Sequence, residues 1–224
     1  MDIEGALAAL EADRSHGAGY LARKALGLLA ASPATKRQEL ARRLVALRPA
    51  MPAIANAVRE AVDTGDPRST MRRADAERRE VAELAAERLR GRTVATMSNS
   101  SLVARALLKA RPPLTQVVVL GRGDEGELLI AELQANRLTA LASSVEDLEA
   151  EVAVVGCDAI FDDGAFVNRK GTSALVKHVN PRVVLVLTER WKRVDGPAPT
   201  SWPEPDLFEI VVPQQNVELL GVSR

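Results

Sequence analysis

Apolar residues recur at every third or fourth position through the first third of the chain, a spacing that lines one face of an α-helix. The helices predicted from this spacing are Ile3–Leu10, Gly19–Ala31, Lys36–Leu47, Ala53–Val62 and Met71–Arg90. Pro49 and Pro52 interrupt the pattern, and Gly65 and Pro67 mark a turn at Asp63–Pro67. The charged run RRADAERRE in the last of these helices is typical of a solvent-exposed helix face.

The pattern changes after Gly91, where short apolar runs rich in β-branched residues begin to alternate with helical segments. Strands are predicted at Thr93–Met97, Gln116–Leu120, Leu138–Ala142, Val152–Gly156, Val183–Thr188 and Phe208–Val212. The helices predicted between them are Leu102–Ala110, Gly126–Asn136, Val145–Ala150 and Thr172–Val179. Such alternation predicts a parallel sheet covered on both faces. We therefore predict an α/β protein with a helical N-terminal domain, residues 1–91, and a three-layer α/β ligand-binding domain, residues 92–224.

Polar and charged residues follow these strands, where open parallel sheets bind their ligands. The turn Ser98-Asn99-Ser100-Ser101 opens a helix and offers either a seat for a phosphate or a plain N-cap. Asp158 follows an apolar strand, where burial fits a carboxyl for proton transfer unless it only caps the next turn. Gly171-Thr172 and Lys192 are further anion candidates, although Lys192 also suits a solvated loop. The Asp163-Gly164 pair predicts a small hairpin.

The run from Gly121 to Gly126 matches G-x-G-x-x-G between a strand and a helix, which raises the alternative of a dinucleotide site. The next strand ends in serines, where that motif expects an acidic residue for the ribose, and Asp124 and Glu125 would repel a pyrophosphate. A tight turn that carries Arg122 toward the pocket is the favoured interpretation. We therefore expect no cofactor.

Composition narrows the classes of function. Lys and Arg number 30 and so do Asp and Glu, and aromatic residues make up only 3%, which disfavours direct nucleic-acid binding. With one cysteine no intrachain disulfide can form, and one cysteine with two histidines argues against a structural zinc site. No apolar run is long enough to span a membrane. These features predict a cytoplasmic protein.

GCDAIFDDGAFVNRKGTSAL, which begins at Gly156, is similar to a GADAI…NG…NKxGT signature. This is the signature of the translation initiation factor 2B alpha/beta/delta family, which the strand ends taken together resemble. The relatives of that family include ribose-1,5-bisphosphate isomerase and methylthioribose-1-phosphate isomerase. TMSNSSLVARALLKA is similar to the family's T-H-x-N-S-x-x-V segment, and His16–Gly19 and Arg48–Ala50 resemble its N-terminal motifs. The resemblance covers roughly residues 14–193 and implies a Rossmann-like second domain.

The resemblance also implies roles for individual residues. Asp158 corresponds to the family's catalytic aspartate. The residues that it places in the ligand pocket are Gly17, Ala18, Arg48, Asn99, Ser100, Asn168, Gly171, Thr172 and Lys192. A family loop that contains an arginine is shortened here, and Arg122 is the possible equivalent of that arginine. Ser98 stands where the isomerases carry a catalytic cysteine, and His16 replaces their arginine. Cys157 is the only thiol and is either inert packing or a displaced acid.

These departures favour binding of a phosphorylated sugar or nucleotide without the thiol-dependent isomerase chemistry. The alternative is an aldose–ketose isomerase that acts on a sugar 1-phosphate with Asp158 as acid or base. The apolar tail FEIVVPQQNVELLGV would leave a strand edge exposed, so we also expect a homodimer or larger assembly through the C-terminal domain.

Overall fold

The computed structural model describes residues 2–110, 116–120, 124–179 and 182–221, without the side chain of Asp124. Five helices open the chain: α1 (Ile3–Ala12), α2 (Ala18–Ala31), α3 (Ala34–Ala46), α4 (Pro52–Thr64) and α5 (Pro67–Leu89). Gly65 ends α4 in the left-handed conformation, and the Asp66 side chain accepts hydrogen bonds from the first backbone N–H groups of α5. The turn predicted at Asp63–Pro67 is therefore confirmed.

The remaining elements alternate as the apolar runs predict. They are β1 (Thr93–Met97), α6 (Ser101–Ala110), β2 (Gln116–Leu120), α7 (Asp124–Ala135), β3 (Ala140–Ser143), β4 (Val152–Gly156), β5 (Ala159–Ile160), β6 (Phe166–Arg169), α8 (Thr172–His178), β7 (Val183–Leu187), β8 (Phe208–Val211) and β9 (Val217–Leu220), with a 3-10 turn at Arg190–Lys192. Six of the strands form one sheet in the order β3-β2-β1-β4-β7-β9, and every neighbouring pair in it is parallel.

Successive residues of each central strand enter opposite cores, as the two-residue period of a strand requires. Val94 and Val152 pack under α5, α6 and α7 on one face. Ala95 and Ala153 face the opposite side, which is covered by α8 and by a small sheet. The predicted α/β architecture, with a helical N-terminal region before a parallel sheet, is confirmed.

A second, antiparallel sheet of three strands lies between the parallel sheet and the N-terminal helices. Its strand order is β5-β6-β8, and β5 and β6 form the hairpin predicted at Asp163-Gly164. Phe166 packs with the parallel sheet, whereas Phe161 and Val167 pack with α1 to α4. This small sheet therefore joins the helical layer to the parallel sheet.

The domain boundary predicted at residue 91 stays a prediction, because the second half of α5 packs with the parallel sheet.

Three details differ from the sequence prediction. The segment predicted as a helix at Val145–Ala150 contains only turns and irregular backbone. Strand β8 belongs to the small antiparallel sheet, not to the parallel one, and β9 had no counterpart among the predicted elements.

No helix in the described ranges is long and apolar enough to cross a membrane.

Candidate functional site

The sheet has a switch point between β1 and β4. From β1 the chain proceeds to β2 and β3 on one side, and it returns to β4 on the other. A crevice opens beyond the carboxyl ends of two strands that diverge in this way, and ligands of α/β proteins bind there. The Ser98–Ser101 turn follows β1, and Cys157 and Asp158 follow β4, so the two segments meet at this crevice.

A cavity occupies this position. Its lining includes the predicted residues Gly17, Ala18, Ser98, Asn99, Ser100, Cys157, Asp158, Asn168 and Lys192. The helical layer closes the cavity from above through the first turn of α2, which begins at Ala18. The cavity volume is about 30 Å³, the room taken by one or two water molecules. A larger ligand therefore requires side chains around the cavity to move apart.

Asp158 lies at the floor of the cavity and is only 7% exposed. Its backbone N–H donates to the Val167 carbonyl at 2.7 Å, which fixes it beside the small sheet. One carboxylate oxygen accepts a hydrogen bond of 3.4 Å from the Ala18 N–H at the start of α2. Burial raises the pKa of the Asp158 carboxyl, while the neighbouring Lys192 and Arg169 act in the opposite direction. Such a carboxyl holds a proton more readily than an exposed aspartate.

Lys192 ends the 3-10 turn that follows β7, and only 4% of it is exposed. Its backbone N–H donates to the Glu189 carbonyl at 2.9 Å, which brings the side chain to the cavity. Within the described ranges, its ammonium group makes no ion pair and no hydrogen bond. A buried cation without a direct partner is costly, so this ammonium is suited to meeting an anion in the cavity.

Ser98 and Cys157 both line the cavity but differ in exposure. Ser98 has a φ of 57°, which is unusual for a residue other than glycine and turns the chain sharply after β1. Cys157 is 3% exposed and packs among the apolar residues beneath the sheet, with its Sγ 3.9 Å from the Leu187 carbonyl. Burial raises the pKa of the Cys157 thiol. The thiol is therefore a poor nucleophile and resembles a packing residue.

Glu125, at the start of α7, supplies a carboxylate to the cavity. It accepts a hydrogen bond from the Asn99 backbone and forms an ion pair with Arg169. Burial raises the pKa of Glu125, whereas the Arg169 charge and these hydrogen bonds lower it. The Asn99 N–H, which lies in the turn predicted to bind a phosphate, therefore already donates to a carboxylate of the protein itself.

Gly171 and Thr172 lie outside the cavity lining. Thr172 is fully buried, and its hydroxyl donates to the Arg169 carbonyl at 2.6 Å and accepts from the Asn168 side chain at 3.1 Å. This pair supports the β6–α8 turn, and through Asn168 it fixes one wall of the cavity. Arg48 also lies outside the lining. Arg122 falls outside the described residues.

Arg78 on α5 is a cavity residue that the sequence prediction missed. The charged run RRADAERRE predicts a solvent-exposed face, but Arg78 within it is only 3% exposed. It forms a buried ion pair with Glu189 and donates to the Ser101 hydroxyl at 2.9 Å. Its spacing from Ala74 and Val81 places it on the buried stripe of α5, which is the signal that could have revealed it.

Two glycines permit the close approach of side chains around the cavity. A Cβ at Gly19 would lie 2.7 Å from a Glu189 carboxylate oxygen and 2.9 Å from Arg78 Nη1. A Cβ at Gly156 would lie 2.7 Å from the Ser100 hydroxyl. These glycines therefore let α2 meet the buried ion pair and let the β1–α6 turn meet the end of β4. No group of three or more side chains that suits a metal ion occurs among the described residues.

Solved structures include several with the same arrangement of elements. The translation initiation factor eIF-2B of Pyrococcus horikoshii OT3 superposes with a TM-score of 0.79 at 22% identity, over 97% of this chain and 94% of that one. The chain has the fold of an initiation factor 2B subunit. The eIF2B delta subunit of Chaetomium thermophilum gives a TM-score of 0.71 at 19% identity, over 98% of both chains. The resemblance found in the sequence is therefore confirmed at the level of the fold.

The fold is shared with an enzyme. The 5-methylthioribose 1-phosphate isomerase of Pyrococcus horikoshii OT3 gives a TM-score of 0.67 at 15% identity, over 93% of this chain and 79% of that one. A tetrameric eIF2B-beta2-delta2 complex from C. thermophilum gives a TM-score of 0.72 at 19% identity, over 99% of this chain and 93% of that one. No protein-family model and no curated protein matches the sequence.

Proposed function

We propose that the cavity binds a small phosphorylated metabolite, a sugar phosphate or a nucleotide, without the thiol-dependent chemistry of the isomerases. The observation that carries this proposal is Lys192, a buried lysine that lines the cavity and whose ammonium makes no hydrogen bond or ion pair with a described residue. A phosphate oxygen there forms a charge-assisted hydrogen bond that this ammonium does not make with any described residue.

The first turns of two helices support the same ligand class. Helices α2 and α6 both begin at the cavity wall, and the first N–H groups of a helix have no acceptor within it. These groups and the positive end of the helix dipole favour an anion, and at α2 the Ala18 N–H already donates to the Asp158 carboxylate at 3.4 Å. Asp158 and Asn168 also line the cavity and supply acceptors and donors for sugar hydroxyl groups. The lining thus suits a ligand with one anionic end and one hydroxyl-rich end.

Thermal-shift and titration measurements test this function. The probes are ribose 1,5-bisphosphate, methylthioribose 1-phosphate, ribose 5-phosphate and AMP, with ribose, adenosine and NAD as controls. We expect a phosphorylated probe to stabilise the chain and its unphosphorylated counterpart to have no effect. Lys192→Met should weaken that binding by about 1–2 kcal/mol, roughly 5- to 30-fold, through loss of one charge-assisted contact.

Lys177→Met is the matched control, because Lys177 is exposed on α8 and lies outside the cavity lining. It should bind the probes as tightly as the native chain. If no phosphorylated probe binds, the proposed function is rejected. Undiminished binding by Lys192→Met would remove Lys192 from the site, and binding of NAD alone would return the dinucleotide interpretation.

The second candidate function is isomerisation of a sugar 1-phosphate. Asp158 favours it, because burial raises the pKa of this carboxyl beside a cavity that also contains Lys192. A carboxyl whose pKa is raised in this way can serve as a general acid or base. What opposes this function is the absence of an accessible thiol among the described residues, since Cys157 is buried and Ser98 carries a hydroxyl.

We also propose that copies of the chain assemble through the C-terminal tail. Strand β8 is an edge of the small sheet and β9 is an edge of the parallel sheet. Between them Val212 is 73% exposed, and Leu219 on β9 is 37% exposed. Exposed strand edges with apolar side chains are readily covered by a second copy.

Light scattering checks this assembly. We expect the native chain to have at least the mass of a dimer at tens of micromolar (about the range of a moderately weak dimer). Val212→Lys should shift it toward the monomer, because a charge in the interface opposes association. Lys170→Met, another change at an exposed position, should leave the mass unchanged. A native chain that is monomeric at this concentration would contradict the proposal.

A further inference from the structure

Two arginines near the cavity share one carboxylate. Arg14 follows α1, and Arg48 lies in the connection between α3 and α4. The Glu204 carboxylate lies 3.8 Å from Arg14 Nε and 3.8 Å from Arg48 Nη2. Both distances are too long for hydrogen bonds, so Glu204 compensates the charge of the pair without satisfying its N–H groups.

Arg48 is the more deeply buried of the two arginines. Its side chain is 3% exposed, and Nη1 donates to the Asp13 carbonyl at 2.6 Å. Its Nε and Nη2 are buried and have no hydrogen-bond partner within the described part of the chain. Burial lowers the pKa of Arg48, and the adjacent Arg14 charge acts in the same direction. An oxygen-rich anion in this position gains hydrogen bonds that the Glu204 carboxylate does not make.

Glu204 is held in place by the backbone around it. The Trp202 indole N–H donates to the Ala50 carbonyl at 3.1 Å, and the Glu204 carbonyl accepts from the Leu207 and Phe208 N–H groups at 3.0 and 3.1 Å. Glu204 has a φ of 57°, a left-handed conformation that disfavours a glutamate. The surrounding contacts therefore hold this carboxylate over the arginines at a conformational cost.

The arginine pair adjoins the cavity through Arg169. The Arg169 guanidinium lines the cavity, stacks on the Phe208 ring at 5.0 Å and donates to the Arg14 carbonyl at 2.8 Å. Met51, three residues after Arg48, is another lining residue, and the Arg48 charge acts to lower the pKa of the Asp158 carboxyl. The arginine pair is therefore connected to the cavity lining through Arg169.

We propose that Glu204 is a built-in plug: its carboxylate fills an anion subsite formed by Arg14 and Arg48, and an anionic group of the ligand displaces it. This inference rests on the proposed function, because it assigns the regulation of the same site. In the empty protein the plug compensates the buried Arg48 charge. On binding, the ligand gains the unused Arg48 N–H groups but must first move Glu204 aside, which lowers its affinity.

The test compares the native chain with Glu204→Gln, Asp206→Asn and the double variant Glu204→Gln, Arg14→Gln, with inorganic pyrophosphate as the probe. Asp206 is the matched control because it is exposed in the same segment and makes no ion pair with a described residue. Arg14 is half exposed, so its replacement should not disturb the core. Binding is measured by titration calorimetry, and melting is followed with pyrophosphate and with potassium chloride at equal ionic strength.

We expect Glu204→Gln to melt below the native chain in chloride and to recover in pyrophosphate. It should bind pyrophosphate at least about fivefold more tightly than the native chain and Asp206→Asn do, because the competing carboxylate is gone. The double variant should lose most of that gain. Equal affinities in the native chain and Glu204→Gln, no binding in either, or a gain that the double variant keeps would each overturn the inference.

The two proposals fail in different ways. If the sugar-phosphate panel binds the native chain and depends on Lys192 while Glu204→Gln gains nothing, only the plug is wrong. If no sugar phosphate or nucleotide binds but Glu204→Gln gains pyrophosphate binding through Arg14, the subsite is supported and the proposed metabolite function is rejected.

Discussion

Replacement of Arg78 by Met should destabilise the chain by about 3–5 kcal/mol, the usual cost of removing one partner of a buried ion pair. Arg78 and Glu189 are both less than 5% exposed and form an ion pair between α5 and the segment after β7. Without Arg78 the Glu189 carboxylate loses its hydrogen-bonded ion-pair partner, and one of its oxygens already lacks a hydrogen-bond partner in the described chain. For a chain of 224 residues we expect the melting temperature to fall by roughly 6–20 °C.

The companion variants separate the ion pair from the general effect of mutation. Arg78→Met with Glu189→Leu removes both charges and should recover most of the lost stability, because apolar replacement of a whole buried pair is often neutral. Lys109→Met breaks the exposed pair with Glu83 on the neighbouring helix and should cost less than about 1 kcal/mol. Urea unfolding measures all three. A loss for Arg78→Met no larger than that for Lys109→Met would show that the pair is not structurally important.

The same pair should matter for binding. Glu189 directly precedes the 3-10 turn that ends at Lys192, and Arg78 donates to Ser101 in the β1–α6 turn. The ion pair therefore connects two segments of the proposed anion site. Gly19 lies in α2, and its backbone packs against both charged groups, so α2 is part of this connection as well.

The strands could be predicted from sequence because their signal is local. Near-continuous apolar runs gave β1, β2 and β4 with the observed bounds, since strands buried on both faces tolerate few polar residues. The failed helix at Val145–Ala150 had six residues, too few to nucleate without tertiary support. There the Ser144 hydroxyl pairs with Asp147 and forms a turn instead. The assignment of β8 to the small sheet depends on its pairing with β6, a non-local contact.

The cavity was only partly predictable. The rule that ligands lie beyond strand ends brought Ser98, Asp158 and Lys192 to one cavity, because parallel strands end at a common edge. Arg78 escapes sequence-based detection as a site residue because it lies in a charged helical segment that looks solvated. Glu125 lies in the predicted Gly121–Gly126 turn, where the sequence indicates only a charge that repels a pyrophosphate. Whether such a side chain is buried depends on a partner far along the chain, and Glu189 is 111 residues from Arg78.

We expect the native chain to lack the isomerase activity of the enzymes that it resembles, which is the largest difference in activity that we predict. In the isomerases that the sequence resembles, a thiol and an aspartate act as a proton-transfer pair. Here Ser98 stands in the thiol position, and a hydroxyl whose pKa lies far above neutrality exchanges protons poorly. Cys157 does not substitute for it, because burial raises the pKa of its thiol and its side chain packs in the core. We expect no turnover of ribose 1,5-bisphosphate or methylthioribose 1-phosphate above the uncatalysed rate.

Four variants test this expectation on both substrates. Ser98→Cys restores a thiol at the cavity wall and should exceed the native rate by about 10²-fold or more, the usual contribution of a positioned acid or base. Adding Asp158→Asn to Ser98→Cys should remove that gain, since the aspartate is the other half of the pair. Cys157→Ala should change nothing. Robust native turnover that Asp158→Asn abolishes and Cys157→Ala leaves intact would mean that Asp158 works without a thiol, and the chain would then be an isomerase.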